Sequence, residues 1–271
     1  TIKENKHWMS TENRMLAVNS GTSGELAKDV FFAYRGYRMN YYAVTAMLAR
    51  VYCWAGEYGN AYKEAKEVVD ATYSTGSTST ASCFNFSNSL TTNRKDYNSI
   101  IMTFFKSTCY EDYLPYMTKG NDVVLVVNTT NLFGDEAGAD DRNLDLFGDW
   151  DGGDIKYSFK YDIKEGTSGT DMIPAIRLSE MYYIMGEYFA YKDEFSKAGE
   201  MLDKVRYARG ISTTNLASSI GSLEVFHTHL IKEMRREFVG EGQMFFQYKR
   251  LDQKPKDNVV FVFDKPNNED I

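Results

Sequence analysis

The stretch MNYYAVTAMLARVYCWAGEYGNAYKEAKEVVDAT, residues 39–72, decides the fold class of this chain. In its first half, apolar residues recur at three- and four-residue steps, at Val44, Met47, Leu48, Val51 and Tyr52. In its second half, the same steps are made by Ala61, Ala65, Val68 and Val69. This spacing is typical of amphipathic helices, and Gly56 interrupts it. The stretch is therefore predicted to form a helical hairpin, in which the small residues allow close packing.

A second copy of the hairpin is predicted at residues 174–210, PAIRLSEMYYIMGEYFAYKDEFSKAGEMLDKVRYARG. Pro174 suits the first turn of a helix. Phe195 and Ala198 correspond to Tyr58 and Ala61 at a constant offset, 198 − 61 = 137. Tyr58 also lies where a tetratricopeptide repeat places its aromatic residue, but such repeats are only about 34 residues long. A long insertion is therefore expected between the copies.

The insertion, residues 75–170, differs in character from both hairpins. It begins with a run rich in Ser, Thr and Asn and contains a turn-forming Gly- and Asp-rich segment at 134–154. Its β-favouring segments are Ile100–Phe105, Val123–Val127 and Tyr157–Tyr161. A mainly α fold is predicted, with tetratricopeptide-like helical hairpins and a loop-rich insertion containing a few short strands.

A third helical region is predicted at residues 222–250, with Ser222 as its N-cap. Its apolar face consists of Leu223, Phe226, Leu230, Met234 and Phe238. Glu237 and Glu241 lie one helical turn apart and could serve as a catalytic acid and base. We favour a structural role, in which the acidic and basic residues of this region form exposed ion pairs, each contributing less than about 1 kcal/mol.

Composition excludes several classes of function. The 271 residues include 31 Lys and Arg against 38 Asp and Glu, a formal charge of −7, which opposes binding to nucleic acid. No apolar stretch approaches the roughly 18–20 residues needed to span a bilayer. No Gly-rich phosphate loop or nucleophile elbow is present, so neither a cofactor nor a catalytic residue is predicted.

No metal site is predicted either. His227 and His229 are two residues apart and would point to different faces of a helix. Asp149, Asp151 and Asp154 fail the EF-hand pattern, which leaves only an irregular calcium site open.

The three cysteines, Cys53, Cys83 and Cys109, form no C-x-x-C pair. Their number is odd, so a disulfide framework is not expected. A single Cys83–Cys109 bridge stays open.

Three motifs resemble the SusD/RagB family of bacterial nutrient-binding proteins. Residues 176–183, IRLSEMYY, look like the family's arginine-leucine-acidic helix, and residues 202–210, LDKVRYARG, are similar to a helix end of the family. Residues 233–250, EMRREFVGEGQMFFQYKR, resemble its signature, with matches at Glu233, Arg235, Glu237, Glu241, Gly242, Phe246 and Arg250.

Two further segments support the resemblance. Residues 41–70 are similar to a helical pair of the family, and Asp141-Arg142 resembles a common turn in its insertion. The chain departs from the signature at Met234 and Met244, which replace arginines, and at Gln247, which replaces an aspartate. These departures remove possible ion pairs within the signature.

The resemblance implies that residues 1–271 are the C-terminal portion of such a protein. A complete member would carry a lipoprotein signal, a lipidated cysteine and further helical repeats in an N-terminal half. The implied function is non-catalytic capture of an oligosaccharide or other nutrient at the extracellular face of the outer membrane. The implied partner is a SusC-like TonB-dependent transporter, and membrane attachment would be through a lipid anchor that is not part of this chain.

Aromatic residues are the candidates for ligand binding. The chain contains 20 Tyr, 17 Phe and 3 Trp, and sugar rings stack their apolar faces on aromatic rings displayed on loops. Tyr110, Tyr113 and Tyr116 follow a predicted strand, and Trp150 lies in the acidic loop of the insertion. These four residues are predicted to contact the ligand.

Two other functions stay open. A tetratricopeptide-type protein-interaction scaffold would bind its partner along the helices rather than on the insertion. A helical glycoside hydrolase would need two carboxylates about 5–10 Å apart across one cleft.

Overall fold

The computed structural model describes residues 14, 35–75, 77–118, 121, 123–149, 152–162 and 172–251, and the backbone of 261–264. The α-helices are α1 Tyr41–Trp54, α2 Tyr58–Val69, α3 Cys109–Met117, α4 Thr129–Phe133, α5 Asp141–Leu146, α6 Leu178–Ala190, α7 Phe195–Ala208, α8 Leu223–Glu237 and α9 Met244–Arg250. The strands are β1 Thr72–Ser74, β2 Thr80–Ser82, β3 Ile100–Phe105, β4 Val124–Asn128, β5 Phe147–Asp149, β6 Ile155–Ser158, β7 Met172–Arg177 and β8 Phe261–Asp264. The mainly α fold with short strands is confirmed.

The first hairpin consists of α1 and α2. The side chain of Asn40 caps α1 by accepting a hydrogen bond from the Ala43 backbone N–H at 3.0 Å. Gly56 adopts φ +75° between the helices, a conformation that glycine reaches without steric cost. Ala61 and Ala65 are fully buried, as the sequence indicated.

Three of the five apolar residues that predicted α1 face solvent rather than the protein core. Val44, Leu48 and Val51 are exposed. The buried face of the helix consists of Tyr42, Ala43, Thr45, Ala46, Ala49 and Cys53. The periodicity identified the helix correctly, but it marked the outward face, because alanines are what allow α2 and α6 to approach the inward face closely.

The second hairpin, α6 and α7, repeats the first one. Asp193 has φ +58° in its turn and lies 137 residues after Gly56 (193 − 56 = 137), so the backbone turn repeats at the same offset as the side chains. The hairpins pack through α2 and α6, where the ring of Tyr58 stacks on that of Tyr191 with centroids 3.9 Å apart. Pro174 was wrongly predicted to begin a helix. It lies in β7 and pairs with Thr103 of β3.

The insertion contains the short strands. The segment Ile100–Phe105 forms β3 as predicted and pairs antiparallel with β7. The other two predicted segments contribute to β4 and β6, in a four-stranded sheet of order β5-β6-β4-β8. Residues 109–117, expected as a loop, form the helix α3 instead.

The predicted helix 222–250 is two helices. The Ser222 hydroxyl caps α8 by accepting from the Val225 backbone N–H. Phe226, Leu230 and Met234 are buried as expected. The chain leaves the helix after Glu237 and passes through Gly240 and Gly242, both with positive φ, before α9. The prediction of one continuous helix was therefore wrong.

The cysteines Cys53, Cys83 and Cys109 are all buried, and none of them is in a disulfide bond. The Cys83–Cys109 bridge that the sequence left open is therefore not formed in the structure.

A pair of glycines tests the packing of the second hairpin. A Cβ at Gly199 of α7 would lie 2.6 Å from the backbone of Ala217, whereas one at Gly59 of α2 would meet nothing within 4 Å. We expect Gly199→Ala to lower the free energy of unfolding by about 1–3 kcal/mol. Gly59→Ala should raise it by about 0.5–1 kcal/mol, because alanine favours a helix. Urea titrations that rank the two variants equally would contradict the close contact.

Candidate binding site

Two of the four predicted ligand residues line one cavity. Tyr113 and Tyr116 project from α3 into an open cavity of about 220 Å³. Tyr110 is half-buried on the same helix and is not among the residues that line the cavity. Trp150 lies outside the described residues. The structure therefore brings together Tyr113 and Tyr116.

The opposite walls come from segments that the sequence did not connect with α3. The lining consists of Lys106, Cys109, Asp112, Tyr113, Tyr116, Tyr161, Ile173 and Gly240. The ring of Tyr161 contacts that of Tyr113, with centroids 4.9 Å apart. Its hydroxyl donates to the Gly240 carbonyl at 3.1 Å, which holds the ring against the turn after α8.

Tyr161 was not predicted as a ligand residue. It lies 48 residues after Tyr113 (161 − 113 = 48) and was assigned to the end of a predicted strand. No motif relates the two positions. Only the packing of the insertion on the turn after α8 brings them to one cavity.

The cavity wall carries little unpaired charge in its described part. Lys106 and Asp112 lie at the exposed rim, and the Lys106 Nζ is 2.5 Å from the Asp112 Oδ2. Burial raises the pKa of Tyr113 to about 12 and holds the pKa of Tyr161 well above its usual value. Both phenols therefore stay neutral at physiological pH and offer aromatic faces rather than charge.

A buried ion pair supports the cavity from behind. Lys160 precedes Tyr161 in the chain, and its Nζ donates to the Glu241 Oε1 and to the Glu237 carbonyl oxygen, both at 2.9 Å. Glu241 also accepts from the Arg177 Nε at 2.7 Å. These contacts fix the backbone of Tyr161 against the turn that contributes Gly240 to the cavity.

The signature acids belong to a larger buried network. Arg142 binds Asp140 at 2.7 Å, Glu233 at 3.0 Å and Glu237 at 3.2 Å, and all four side chains are almost fully buried. Glu237 also accepts from Arg209 at 2.6 Å. The structural role of these pairs agrees with the prediction, but the pairs are buried rather than exposed, because the partners on α5 and directly after α7 enclose the carboxylates.

The end of the signature is tied to the helical hairpins. Arg250 of α9 forms two hydrogen bonds of 2.7 Å to the buried Glu187 carboxylate of α6. Gln247, which stands where the signature has an acid, accepts hydrogen bonds from Arg250 at 3.0 and 3.1 Å. Met234 is packed in the core between α8 and the second hairpin. Gln247 therefore takes part in this contact without carrying a charge.

No metal centre is formed by the described residues, in which no group of three or more His, Cys, Asp or Glu side chains could hold an ion. Of the residues considered for calcium, Asp151 lies outside the described part. Asp149 is 3.8 Å from Lys156, and the Asp154 carboxylate accepts from the Thr130 hydroxyl. The helices of this same part are too short or too polar to cross a bilayer.

Several solved structures share the fold. A SusD superfamily protein from Bacteroides thetaiotaomicron is 21% identical with a TM-score of 0.58, over 83% of this chain and 55% of its own. A SusD-like carbohydrate binding protein from Bacteroides vulgatus is 17% identical with a TM-score of 0.56, over 93% of this chain and 54% of its own. A laminarin binding SusD-like protein is 17% identical with a TM-score of 0.54, over 81% and 56%.

These likenesses show the fold, and this chain spans about half the length of the structures it matches. The comparison with curated protein sequences found no match. The model of the SusD family matches residues 32–265, most of the chain. Together with the paired hairpins and the buried signature network, this match shows that the chain belongs to the SusD family.

Proposed function

We propose that this protein captures a glycan or other nutrient without chemically changing it, and that the ligand binds in the cavity of Tyr113, Tyr116 and Tyr161. The observation that carries the proposal is that two tyrosines of α3 and Tyr161, which follows β6, line one open cavity of about 220 Å³. We also propose Tyr110 and Trp150 of the same insertion as ligand contacts.

The chemistry of the cavity supports a carbohydrate ligand. Tyr116 is 47% exposed, so its ring is free to stack on the apolar face of a pyranose. The paired Lys106 and Asp112 supply polar groups at the rim for ligand hydroxyls. Two of the structural neighbours are described as binding carbohydrate and laminarin.

A non-catalytic role agrees with the position of the carboxylates. Glycoside hydrolysis needs two of them across one cleft. Within the described lining, Asp112 is the one carboxylate, and it is bound to Lys106. Glu237 and Glu241 are held by buried arginine and lysine side chains instead.

The setting of this capture is proposed from the family. We place the protein at the extracellular face of the outer membrane, attached through a lipid anchor, where it delivers its ligand to a SusC-like TonB-dependent transporter. Membership of the SusD family supports this placement.

Binding of a protein partner is a second candidate function, favoured by one surface. Val44, Leu48, Val51 and Trp54 of α1 are exposed, and the ring of Trp54 lies 6.4 Å from that of Phe246 on α9. Exposed apolar surfaces of this kind often mark protein interfaces. A scaffold function would place the binding partner on this apolar surface of α1 and α9 rather than in the tyrosine cavity.

A glycan array followed by calorimetry tests the capture function. We expect Tyr116→Ala to weaken binding of the best glycan about five- to tenfold, through the loss of one stacking contact worth roughly 1 kcal/mol. Tyr207→Ala is the matched control, because Tyr207 is similarly exposed on α7 and does not line the cavity. Equal affinities of the wild type and Tyr116→Ala would reject the site.

A further inference from the structure

The tyrosine cavity is more apolar than a site for an unsubstituted sugar requires. The two charged groups of its described lining, Lys106 and Asp112, are paired with each other, and Asp112 also accepts from the Thr108 hydroxyl at 2.7 Å. The Tyr161 hydroxyl is bound to the Gly240 carbonyl. Burial of a sugar hydroxyl without a hydrogen bond costs free energy. The inner part of the cavity therefore suits a chemical group that carries few hydroxyls.

The apolar wall continues beyond the cavity onto β3. Phe104 is directly opposite Ile173 in the β3–β7 register. Side chains of directly opposed residues in an antiparallel pair lie on the same face and in contact range. Ile173 lines the cavity, so Phe104, which is 60% exposed, extends the same wall.

The dimensions suit an aromatic ring. A cavity of about 150 Å³ lined by apolar side chains is large enough to bind benzene, and this one measures about 220 Å³. Aromatic rings gain from offset or edge-to-face contact with other rings at centroid distances of about 4.5–7 Å. The rings of Tyr113, Tyr116 and Tyr161 line this space, and Phe104 lies beside Ile173 at its edge.

We propose that the cavity selects saccharides that carry an aromatic substituent, such as an aryl glycoside or an aromatic ester of a sugar. The substituent enters between Tyr113, Tyr161 and the Ile173–Phe104 wall, and the sugar stays at the mouth, near Tyr116 and the polar rim. This inference rests on the proposed capture function and names the class of ligand at its site.

Calorimetry with two glucosides tests the proposal on the whole chain. Phenyl β-D-glucopyranoside and methyl β-D-glucopyranoside share the sugar and differ in the aglycone alone. We expect the phenyl glucoside to bind about tenfold more tightly, the effect of one set of aromatic contacts. Phe104→Ser should reduce this preference to within about threefold. Phe245→Ser is the matched control, because Phe245 is also strongly exposed, at 70%, but lies on α9 and is not paired with a residue that lines the cavity.

The outcomes separate this inference from the capture function. Equal affinities for the two glucosides, or no binding of either, would overturn the aromatic preference, and glycan-array binding that depends on Tyr116 would leave capture standing. A preference that survives in Phe104→Ser would also overturn the assigned site. Tight binding of the phenyl glucoside, lost in Phe104→Ser and kept in Phe245→Ser, would support it even if the array showed no unsubstituted glycan bound.

Discussion

Replacing Arg142 by methionine is expected to lower the free energy of unfolding by about 3–5 kcal/mol. The guanidinium is the shared partner of Asp140, Glu233 and Glu237, and all these groups are buried. Methionine keeps the apolar stem but leaves three carboxylates short of one positive charge. Removing one partner of a buried pair costs far more than the pair contributes, because the remaining charge cannot be resolvated.

Urea unfolding followed by circular dichroism measures this effect. Lys66→Met is the matched control, since Lys66 pairs with Asp70 on the exposed face of α2. Loss of an exposed pair should change the free energy of unfolding by less than about 1 kcal/mol. If both substitutions had equally small effects, the buried network would not hold the insertion and the signature together.

Acid is expected to destabilise the protein steeply between about pH 5 and pH 2. Burial alone would raise the pKa of Glu237, but the charges of Arg209 and Arg142 outweigh it and hold that pKa well below its usual range. Glu136 is also buried in part, and Arg236 and Arg206 lower its pKa to about 2. Unfolded glutamate has a pKa near 4.3, so the unfolded state takes up protons first as the pH falls.

The sign of the effect follows from these shifts. Carboxylates with lowered pKa stabilise the folded state above pH 4–5, and this stability is lost as the pH falls towards the folded pKa. Asp203, whose pKa is raised by burial, acts in the opposite direction and offsets part of the loss. The free energy of unfolding measured in urea at pH 7, 5, 4 and 3 should therefore decrease with acidity.

The Glu136→Gln variant separates the contribution of Glu136 to the pH dependence of stability from that of the other carboxylates. Glu136→Gln cannot titrate, so its stability should depend less on pH below 5 than that of the wild type. The same slope in both proteins would show that Glu136 does not contribute. The absolute free energies of unfolding of the two proteins need not be equal. The slope of the free energy of unfolding against pH reports how many protons are taken up on unfolding, and the difference between the two slopes is the contribution of Glu136.

The repeat is the part of the fold that the sequence predicted best. The offset of 137 residues, derived from Ala61 and Ala198, also relates the turn residues Gly56 and Asp193, which both have positive φ. Helical periodicity and turn chemistry depend on neighbours within a few residues, so they can be recognised without knowledge of the fold. The signature segment, in contrast, was recognised from its resemblance to the SusD/RagB family.

The orientation of α1 and the nature of α3 were not predicted correctly. In α1 the large apolar residues face outwards and the alanines face the core. The identity of the inward face depends on how closely α2 and α6 approach, which is a property of the whole bundle. The tyrosines of residues 109–117 were expected on a loop, yet they lie on the helix α3, which contacts β4.

The sequence by itself determined the two hairpins and the helical character and N-cap of the segment that begins at Ser222, because each depends on spacing along the chain. Tertiary structure alone decided that Tyr113 and Tyr116 meet Tyr161 and Gly240, and that Glu237 and Glu241 are buried rather than exposed. The reason is that these contacts join residues from 28 to more than 100 positions apart, and which partner a charged or aromatic side chain finds depends on how the elements pack.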